Sequence, residues 1–492
     1  MSRLRLAIDL GAGSGRALAG RISESEVVLL EAHRFHYKPR LAAGHLRWDA
    51  ARLFEGVSTG LQNAVQLASA QGAQLASVGV DSWGVDYGLL DAEQRLLEEP
   101  VCYRDTRTDG VMDEVFASVP RAEVFARTGV QFLQLNTLYQ LFAHARAGLP
   151  AGAARLLLIP DLCHHFLAGT VLGERTNAST TQLVDVQTGD WDEELFARLG
   201  LPRGLMPKLV AAGTGLGPLR PERRSEAGTS ALEVIAPATH DTASAVAGTP
   251  LQPGWAYVSS GTWSLVGVER ESPLLGPEVE RANFTNEGGA YGTFRFLKNV
   301  MGLFLLESCR NEAGSGRGGD LEALLEAVRD VEGFVGFVFP DSERLFNPKN
   351  MVEALNHALV ASGQRSVDDP VLLAKVVLDS LALRYASVVR TLEDLTGRPI
   401  GGIHVVGGGS RNDYLNHATA DAAGRPVLAG PVEATAIGNL LVQEIAAGEM
   451  ASLATGRELL ARALQPRRYE PRDAGKWAAA AERYAEIEAA GC

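Results

Sequence analysis

Glycine-rich turns and a few carboxylates are the parts of this sequence best suited to chemistry. In Asp9-Leu-Gly-Ala-Gly-Ser-Gly-Arg16, three glycines, a serine and an arginine follow the apolar run LRLAID at residues 4–9. Glycine lets a chain turn with positive φ and come close to a ligand, and successive N–H groups in such a turn make a nest for an anion. A second turn, Ser259-Ser260-Gly261-Thr262-Trp263, sets small hydroxyl residues around a glycine. A third, Val405-Val406-Gly407-Gly408-Gly409-Ser410, offers consecutive glycines against which a flat ring or a phosphate can lie. Each alone reads equally well as a tight loop. Together, each at the C-terminal end of a strand-like run, they favour one nucleotide site built from several loops. Other phosphate signatures do not match. The string G-x-x-x-x-G-K-[ST] does not occur. The dinucleotide fingerprint, counted from Gly11, falls on Arg16 at its last glycine, and the next segment reads as strand. The Arg104-Asp105 pair has no D-F-G partner, against a protein-kinase reading.

Among the carboxylates, Asp241 follows the strand-like EVIA in Pro237-Ala-Thr-His-Asp-Thr-Ala-Ser-Ala245. One reading makes Asp241 or Thr242 the N-cap of a helix TASAVAG. The other makes Asp241 the base that takes the proton of a sugar hydroxyl as it attacks phosphorus; both can hold. Asp9 is placed either to serve a divalent ion bridging phosphates or to close a turn. Asp81 and Asp86 flank Trp83-Gly84. There a sugar could lie on the glycine backbone with Trp83 as a stacking face, or the segment is strand packing with two exposed acids. His164-His165 are adjacent, so their side chains diverge, and no H-E-x-x-H or cysteine cluster supports a transition-metal site. Cys102, Cys163, Cys309 and Cys492 lie far apart, as reduced thiols do.

The elements that must position these residues alternate. After Arg16 the pattern stays strand-like (ALAGRI, a polar turn at Ser23–Glu26, VVLLEAHRF), which reads as a β-meander. Residues 49–72 read as a helix with Leu53, Val57, Leu61, Val65 and Leu67 on or near one stripe. A buried strand follows in LASVGVDSWGVDYGLLD, and strand–helix alternation gives an α/β class. Residues 206–230 are rich in Gly, Pro and charge; ALEVIAPATHDTASAV then supplies another strand, and a second half begins near residue 246. That half is expected to hold the hairpin LQPGWAYVSSGTWSLVGVER, a helix over Asp368–Thr396, the strand GIHVVGGGS, helix after Asn439 and a terminal helix at Glu482–Ala490. LAIDLGAGSGRALAG and AYVSSGTWSLVGV echo each other as strand–turn–strand. The expected domains are 1–245 and 246–492.

The 492 residues are 46% hydrophobic and 21% charged, the mix of a multidomain globular chain and not of a disordered or disulfide-stapled one. A net charge of −13 argues against nonspecific binding to nucleic acid or anionic membrane. MSRLRLAIDLGAG lacks the pattern of a signal peptide, and no apolar run nears the roughly 20 residues that span a bilayer. A soluble, cytoplasmic protein is expected, as a monomer or small homo-oligomer.

The strings DLGAGSGR, GVDSWGVDYGLLD, YRDTRT, QFLQLNTLYQL, TNASTTQLVD, THDTASAV, SSGTWSL, TNEGG, LKNVMGLFLLE, VVGGGSRNDYLN and GPVEATAIGN, taken in order, resemble the FGGY carbohydrate kinases. SWGVDYGLLD, NTLYQL and TNASTTQLV point to the L-rhamnulose branch. The resemblance implies a two-lobed α/β fold of the actin/hexokinase-like ATPase (ribonuclease H-like) type, with its active site in the interdomain cleft. It also implies transfer of the ATP γ-phosphoryl to the 1-hydroxyl of L-rhamnulose in rhamnose breakdown, with Mg²⁺. By the same resemblance Asp241 matches the catalytic base, and Gly84, His240, Asp241, Thr242 and Asn299 match sugar contacts. Ala12, Gly13, Ser14, Gly15, Arg16, Thr262, Glu307 and Gly408 match ATP contacts, and Asp9 the acid near the metal. Glu307 stands where some relatives place Gln. HATADAAG lacks the cysteines some relatives carry, so no disulfide carries over. The alternatives are another kinase of the family, for L-fuculose, xylulose or glycerol, and a ligand-binding regulator without turnover.

Overall fold

A computed structural model describes residues 2–23, 26–229, 232–313 and 319–491. Glu24 and Ser25 of the expected turn, and Cys492, lie outside the described residues; Ser23 N–H donates to the Glu26 carbonyl at 3.0 Å. Cys102, Cys163 and Cys309 are free thiols. Among the described residues no helix is long and apolar enough to cross a membrane.

The chain forms two units. The first comprises Met1–Pro250, Glu269–Phe296 and Ala434–Leu464; the second comprises Leu251–Val268, Leu297–Glu433 and Gln465–Cys492. The sheet of the first unit runs in the order Thr214–Pro218, Glu233–Ala236, Ala73–Ser82, Ser2–Leu10, Ser14–Ile22, Val27–His36. The last three make the expected meander, with Asp9 opposite Arg16 and Leu10 opposite Gly15. Ser2–Leu10, Ala73–Ser82 and Glu233–Ala236 are mutually parallel. The Gly/Pro-rich stretch adds an antiparallel edge strand, Thr214–Pro218.

Alternate residues of a strand face opposite sides, and two helices use this. Helix Ala50–Ala70 is capped by Asp49, whose side chain accepts from Arg52 N–H, and it buries Leu53, Val57, Leu61, Ala64 and Ala68. The apolar stripe thus ends in alanines, and Val65 and Leu67 are half-buried. Close approach explains the small residues. A Cβ on Gly60 would lie 2.7 Å from that of Ala17, and one on Gly56 would lie 2.2 Å from the Phe35 ring. On the other face, Ala7 and Leu18 pack with Ala436, Ile437 and Leu440 of helix Ala434–Ala446. That helix also crosses helix Asp241–Ala247 backbone to backbone: a Cβ on Gly438 would lie 1.7 Å from the Ser244 carbonyl oxygen, and one on Gly248 would lie 2.2 Å from that of Ala434. Gly438, in the AIGN string, therefore sets the depth of the helix that carries Asp241.

The second unit repeats the plan. Its strands follow the order Phe294–Met301, Trp263–Arg270, Ala256–Ser260, Ile403–Val406, Val427–Ala429, Arg467–Tyr469. Ala256–Ser260 and Trp263–Arg270 form an antiparallel hairpin, and Ala256–Ser260, Ile403–Val406 and Val427–Ala429 are parallel. Each unit thus has a hairpin whose first strand begins a parallel run, which is the structural content of the echo in the sequence. Helix Pro370–Thr396 starts on the Asp369 cap and stops at Gly397, where φ is 64°.

Candidate active site

In the first unit the acids gather at the C-terminal ends of the parallel strands, where ligands bind in open α/β sheets. Asp9 is the register partner of Asp81. Beyond them Ser82 bridges to His240, its N–H meets the Thr239 carbonyl at 2.9 Å, and Trp83 N–H meets that of Leu10 at 3.2 Å. Asp81 is buried. Burial, then the negative charge of Asp9, push its carboxyl well above the usual range; a hydrogen bond from Asn439 opposes this, and Asp241 adds to it. Its Oδ2 accepts from Asn439 Nδ2 at 2.5 Å, while Oδ1 has no hydrogen-bond partner among the described residues. Asp9, also buried, is 3.0 Å from the Arg16 guanidinium.

Asp241 is more open, with 29% of its side chain exposed, and accepts from Thr242 Oγ1 at 3.0 Å. His240 is the N-cap of helix Asp241–Ala247, one position before the expected cap, so Asp241 is the first helical residue. The loop before it is tied from several sides. Glu174 Oε2 accepts from Thr239 N–H at 3.0 Å and Thr239 Oγ1 at 2.8 Å. Thr176 Oγ1 accepts from His240 N–H at 3.2 Å, and Asn177 Nδ2 donates to the Thr239 and Trp83 carbonyls, each at 3.3 Å. The TNASTTQLV string thus braces the HDT loop.

The first turn, which carries Ala12 and Ser14, is closed by Gly11 N–H to Ser14 O at 2.9 Å. Tyr37 clamps it: its hydroxyl donates to the Gly11 carbonyl, and its N–H donates to that of Gly13 at 3.2 Å. Burial, then the charge of Asp9, push the Tyr37 phenol up. The glycines differ. A Cβ on Gly15 would lie 2.3 Å from the Phe35 ring, whereas one on Gly13 would meet nothing within 4 Å. Packing demands glycine at 15 and does not demand it at the exposed position 13.

Gly84 packs on Thr180, whose Oγ1 would lie 2.6 Å from an added Cβ. The next residue, Val85, is held at φ 70°, costly for a β-branched side chain. Its carbonyl accepts from Thr137 Oγ1 at 2.7 Å and Gln140 Nε2 at 3.3 Å. Neither Asp81 nor Asp86 is exposed. Asp86 accepts from Trp48 Nε1 at 2.6 Å, Trp83 Nε1 at 3.0 Å, Gln140 Nε2 at 3.1 Å and Tyr103 N–H at 3.2 Å. Burial nevertheless pushes it up to about 6. Trp83 is 6% exposed and packs against Trp48 at 4.6 Å, so it is a wall and not a free stacking face. His164 Nε2 accepts from Val80 N–H at 3.0 Å, and burial pushes it down to about 3, the state of a neutral core histidine.

In the second unit, exposed Thr262 sits at the hairpin turn, where its carbonyl accepts from Gly302 and Phe304 N–H, each at 3.2 Å. Helix Phe304–Ala313 starts there and carries Glu307, exposed and ion-paired with Arg310. The triple-glycine turn leans on the same hairpin. A Cβ on Gly407 would lie 2.9 Å from the Ser260 carbonyl oxygen and one on Gly409 would lie 2.0 Å from Ser260 Oγ, but one on exposed Gly408 would meet nothing within 4 Å. Asn299 lies half-buried on strand Phe294–Met301.

Two family models for carbohydrate kinases match this chain: the FGGY N-terminal domain over residues 4–248 and the FGGY C-terminal domain over 256–447. The chain belongs to the FGGY family of carbohydrate kinases. It is 40% identical over 478 residues to a rhamnulokinase of Bacteroides thetaiotaomicron, covering 96% of this chain and 97% of that one. It is 43% identical over 484 residues to a rhamnulokinase of Pectobacterium carotovorum, covering 96% and 95%. Among solved structures, gluconate kinase from Lactobacillus acidophilus superposes with a TM-score of 0.81 at 14% identity, covering 100% of this chain and 98% of that one, a likeness of fold alone. The actin/hexokinase-like α/β fold expected from the sequence is the one observed.

Residues that sequence reasoning missed support the site from below. Tyr37, Glu174 and Arg295 lie in no chemical motif. Asn439 stood in the AIGN string, whose order within the family was its only signal.

Proposed function

We propose that this protein transfers the γ-phosphoryl group of ATP to the 1-hydroxyl of L-rhamnulose, giving L-rhamnulose 1-phosphate and ADP in the breakdown of L-rhamnose in the cytoplasm. The observation that carries the reading is Asp241: a partly exposed carboxylate on a braced loop that bridges Ser82 at the C-terminal end of the parallel strands. The rhamnulokinases to which the chain is similar over nearly its whole length point to the sugar.

In this reading Asp241 accepts the proton of the 1-hydroxyl as its oxygen bonds to the γ-phosphorus, and the bond from that phosphorus to the bridging oxygen breaks to release ADP. Such transfer asks for alignment and charge stabilisation more than for covalent chemistry. A positioned base supplies about 10²–10⁴-fold. Gly84, His240, Thr242 and Asn299 serve the sugar. The N–H groups from Ala12 to Arg16, with Thr262 and Gly408, serve the phosphates and nucleotide, and Glu307 the nucleoside end. Residues 1–245 supply the base and first turn, and 246–492 the second and third turns.

A divalent cation fits the first unit. Asp9 and Asp81 are buried acids side by side, and Asp81 Oδ1 has no partner among the described residues. Among these residues no group of three or more metal-type side chains is arranged to chelate an ion, and Mg²⁺ held by one or two carboxylates and substrate phosphates does not require one. Asp9, with Asp81 behind it, would hold Mg²⁺, which when bound neutralises phosphate charge.

The test is a coupled ADP assay with L-rhamnulose, L-fuculose, xylulose and glycerol, with the phosphorylated carbon assigned by NMR. Preference for L-rhamnulose with phosphate on C1 is the expected result. Preference for another substrate reassigns the sugar, and no ADP release with any of them ends the kinase reading.

A further inference from the structure

His240, the neighbour of the proposed base, is held from behind by a fully buried arginine. Arg295 places a terminal guanidinium nitrogen 2.8 Å from His240 Nδ1. The same guanidinium lies 3.1 Å from Glu287 Oε2 and donates through Nε to the Gly288 carbonyl at 2.9 Å. Among the described residues, the charged groups paired with the imidazole are Arg295, Glu287 at 3.4 Å from Nδ1 and Asp241 at 3.5 Å from Nε2. A guanidinium has donors and no acceptor, and at 2.8 Å it lies well inside the 3.4 Å of Glu287, so Nδ1 presents its lone pair to it and the ring proton sits on Nε2. An imidazolium would set N–H against N–H at Nδ1. The other neutral tautomer would do the same there, and would also turn a lone pair toward the Asp241 carboxylate.

We propose that Arg295 is a positioning residue for the kinase reaction: it locks His240 as the neutral Nε2–H tautomer, so that His240 donates a hydrogen bond to the same sugar hydroxyl that gives its proton to Asp241. This rests on the reading of Asp241 as the base. A hydroxyl has one proton and two lone pairs. With the proton directed to Asp241 and one lone pair held by His240, the remaining lone pair is fixed in direction and is the one that attacks phosphorus. A histidine in the other tautomer would compete with Asp241 for the proton and leave the oxygen free to rotate.

The experiment is long-range ¹H–¹⁵N correlation on the full chain with ¹⁵N-labelled histidine, His240 being assigned by its loss in His240→Gln. The Nε2–H pattern is expected; a Nδ1–H or imidazolium pattern in the wild-type protein overturns the proposal without any variant. Kinetics supply the second arm. Arg295→Met with Glu287→Gln removes both buried charges together, which avoids stranding the carboxylate. It should shift the His240 signals and lower kcat up to about 10²-fold, the scale of a misplaced reacting group. The sugar KM should change less and ATP binding stay as in wild type, while Arg295→Lys, which keeps a donor, should recover part of the loss. Wild-type kcat in the double variant overturns the proposal. Asp241→Asn run beside it separates the two readings: retained turnover there removes the base itself, whatever Arg295 does.

Discussion

Gly13 and Gly15 sit two residues apart in one turn and should fail in opposite ways when changed to alanine. At Gly15 the new Cβ would lie 2.3, 2.6 and 2.9 Å from three atoms of the Phe35 ring. The ring cannot simply retreat, because Gly56 of the adjacent helix already leaves room for no more than a hydrogen: a Cβ there would lie 2.2 Å from the same ring. His33 stacks on Phe35 at 5.3 Å and Tyr37 lies at 5.7 Å, so sideways escape is filled as well. Overpacking of this kind costs about 1–3 kcal/mol, and Gly15→Ala should lower the urea midpoint accordingly. At Gly13 the new Cβ would meet nothing within 4 Å, and φ lies outside the left-handed region. Gly13→Ala should therefore leave the urea midpoint within about 0.5 kcal/mol of wild type, as surface changes do. If the backbone there meets a phosphate, losing one hydrogen bond to a charged group costs about 1.5–3 kcal/mol, or about 10- to 150-fold in affinity. Calorimetry with ATP on the folded variant measures it. Wild-type ATP affinity in Gly13→Ala, or a melt as poor as that of Gly15→Ala, would refute the reasoning.

The third turn repeats the contrast in the second unit: Gly409→Ala, with its Cβ 2.0 Å from Ser260 Oγ, should destabilise, whereas Gly408→Ala should keep stability and weaken ATP binding, both read by urea melts and calorimetry. Asp241→Asn should retain ATP binding and lose about 10²–10⁴-fold in kcat; near-normal turnover in the ADP assay removes Asp241 from its role. His164 is neutral in the fold, pushed down to about 3 from 6.5 by burial. Its contribution to stability is therefore complete above pH 6.5 and is lost as pH falls toward 3, since only the unfolded chain takes up the proton. Between pH 7 and pH 5 wild type should lose about 2 kcal/mol more than His164→Gln, a variant whose amide oxygen can still accept from Val80 N–H; parallel urea melts with equal pH slopes would contradict this.

Much of the frame was legible because its signals are local. The meander, the glycine turns and helix Pro370–Thr396 follow from alternation, turn residues and a capping aspartate, all within a few residues of one another. What the sequence hid lies in long-range packing. The stripe of helix Ala50–Ala70 continues through alanines because strand Ser14–Ile22 and Phe35 come too close for larger residues. Helix Ala434–Ala446 covers the first sheet although 183 residues separate it from the end of the segment Met1–Pro250. No periodicity in the chain reports such a return. Asp81 and Asp86 read as surface acids by type, yet the donors that let them be buried (Asn439, Trp48, Gln140 and Tyr103) come from distant segments.

The strings that pointed to the rhamnulose branch acquire a physical meaning from these contacts. SWGVDYGLLD supplies Gly84, the strained Val85 and the buried Asp86. NTLYQL supplies Thr137 and Gln140, which hold the Val85 carbonyl, and Gln140 also donates to Asp86. TNASTTQLV supplies Thr180, which forces glycine at 84, and Thr176 and Asn177, which hold the HDT loop. A φ of 70° at a β-branched residue costs on the order of 1–3 kcal/mol and persists only where the surroundings over-determine it. The bonds to the Val85 carbonyl, with those that Trp48 and Tyr103 make to the adjoining Asp86, supply that excess. Strain of this kind would relax if any one of these contacts were lost, so the three strings act as one brace. Under the proposed function they fix the backbone that faces the sugar, and this explains why few of their residues look catalytic by type.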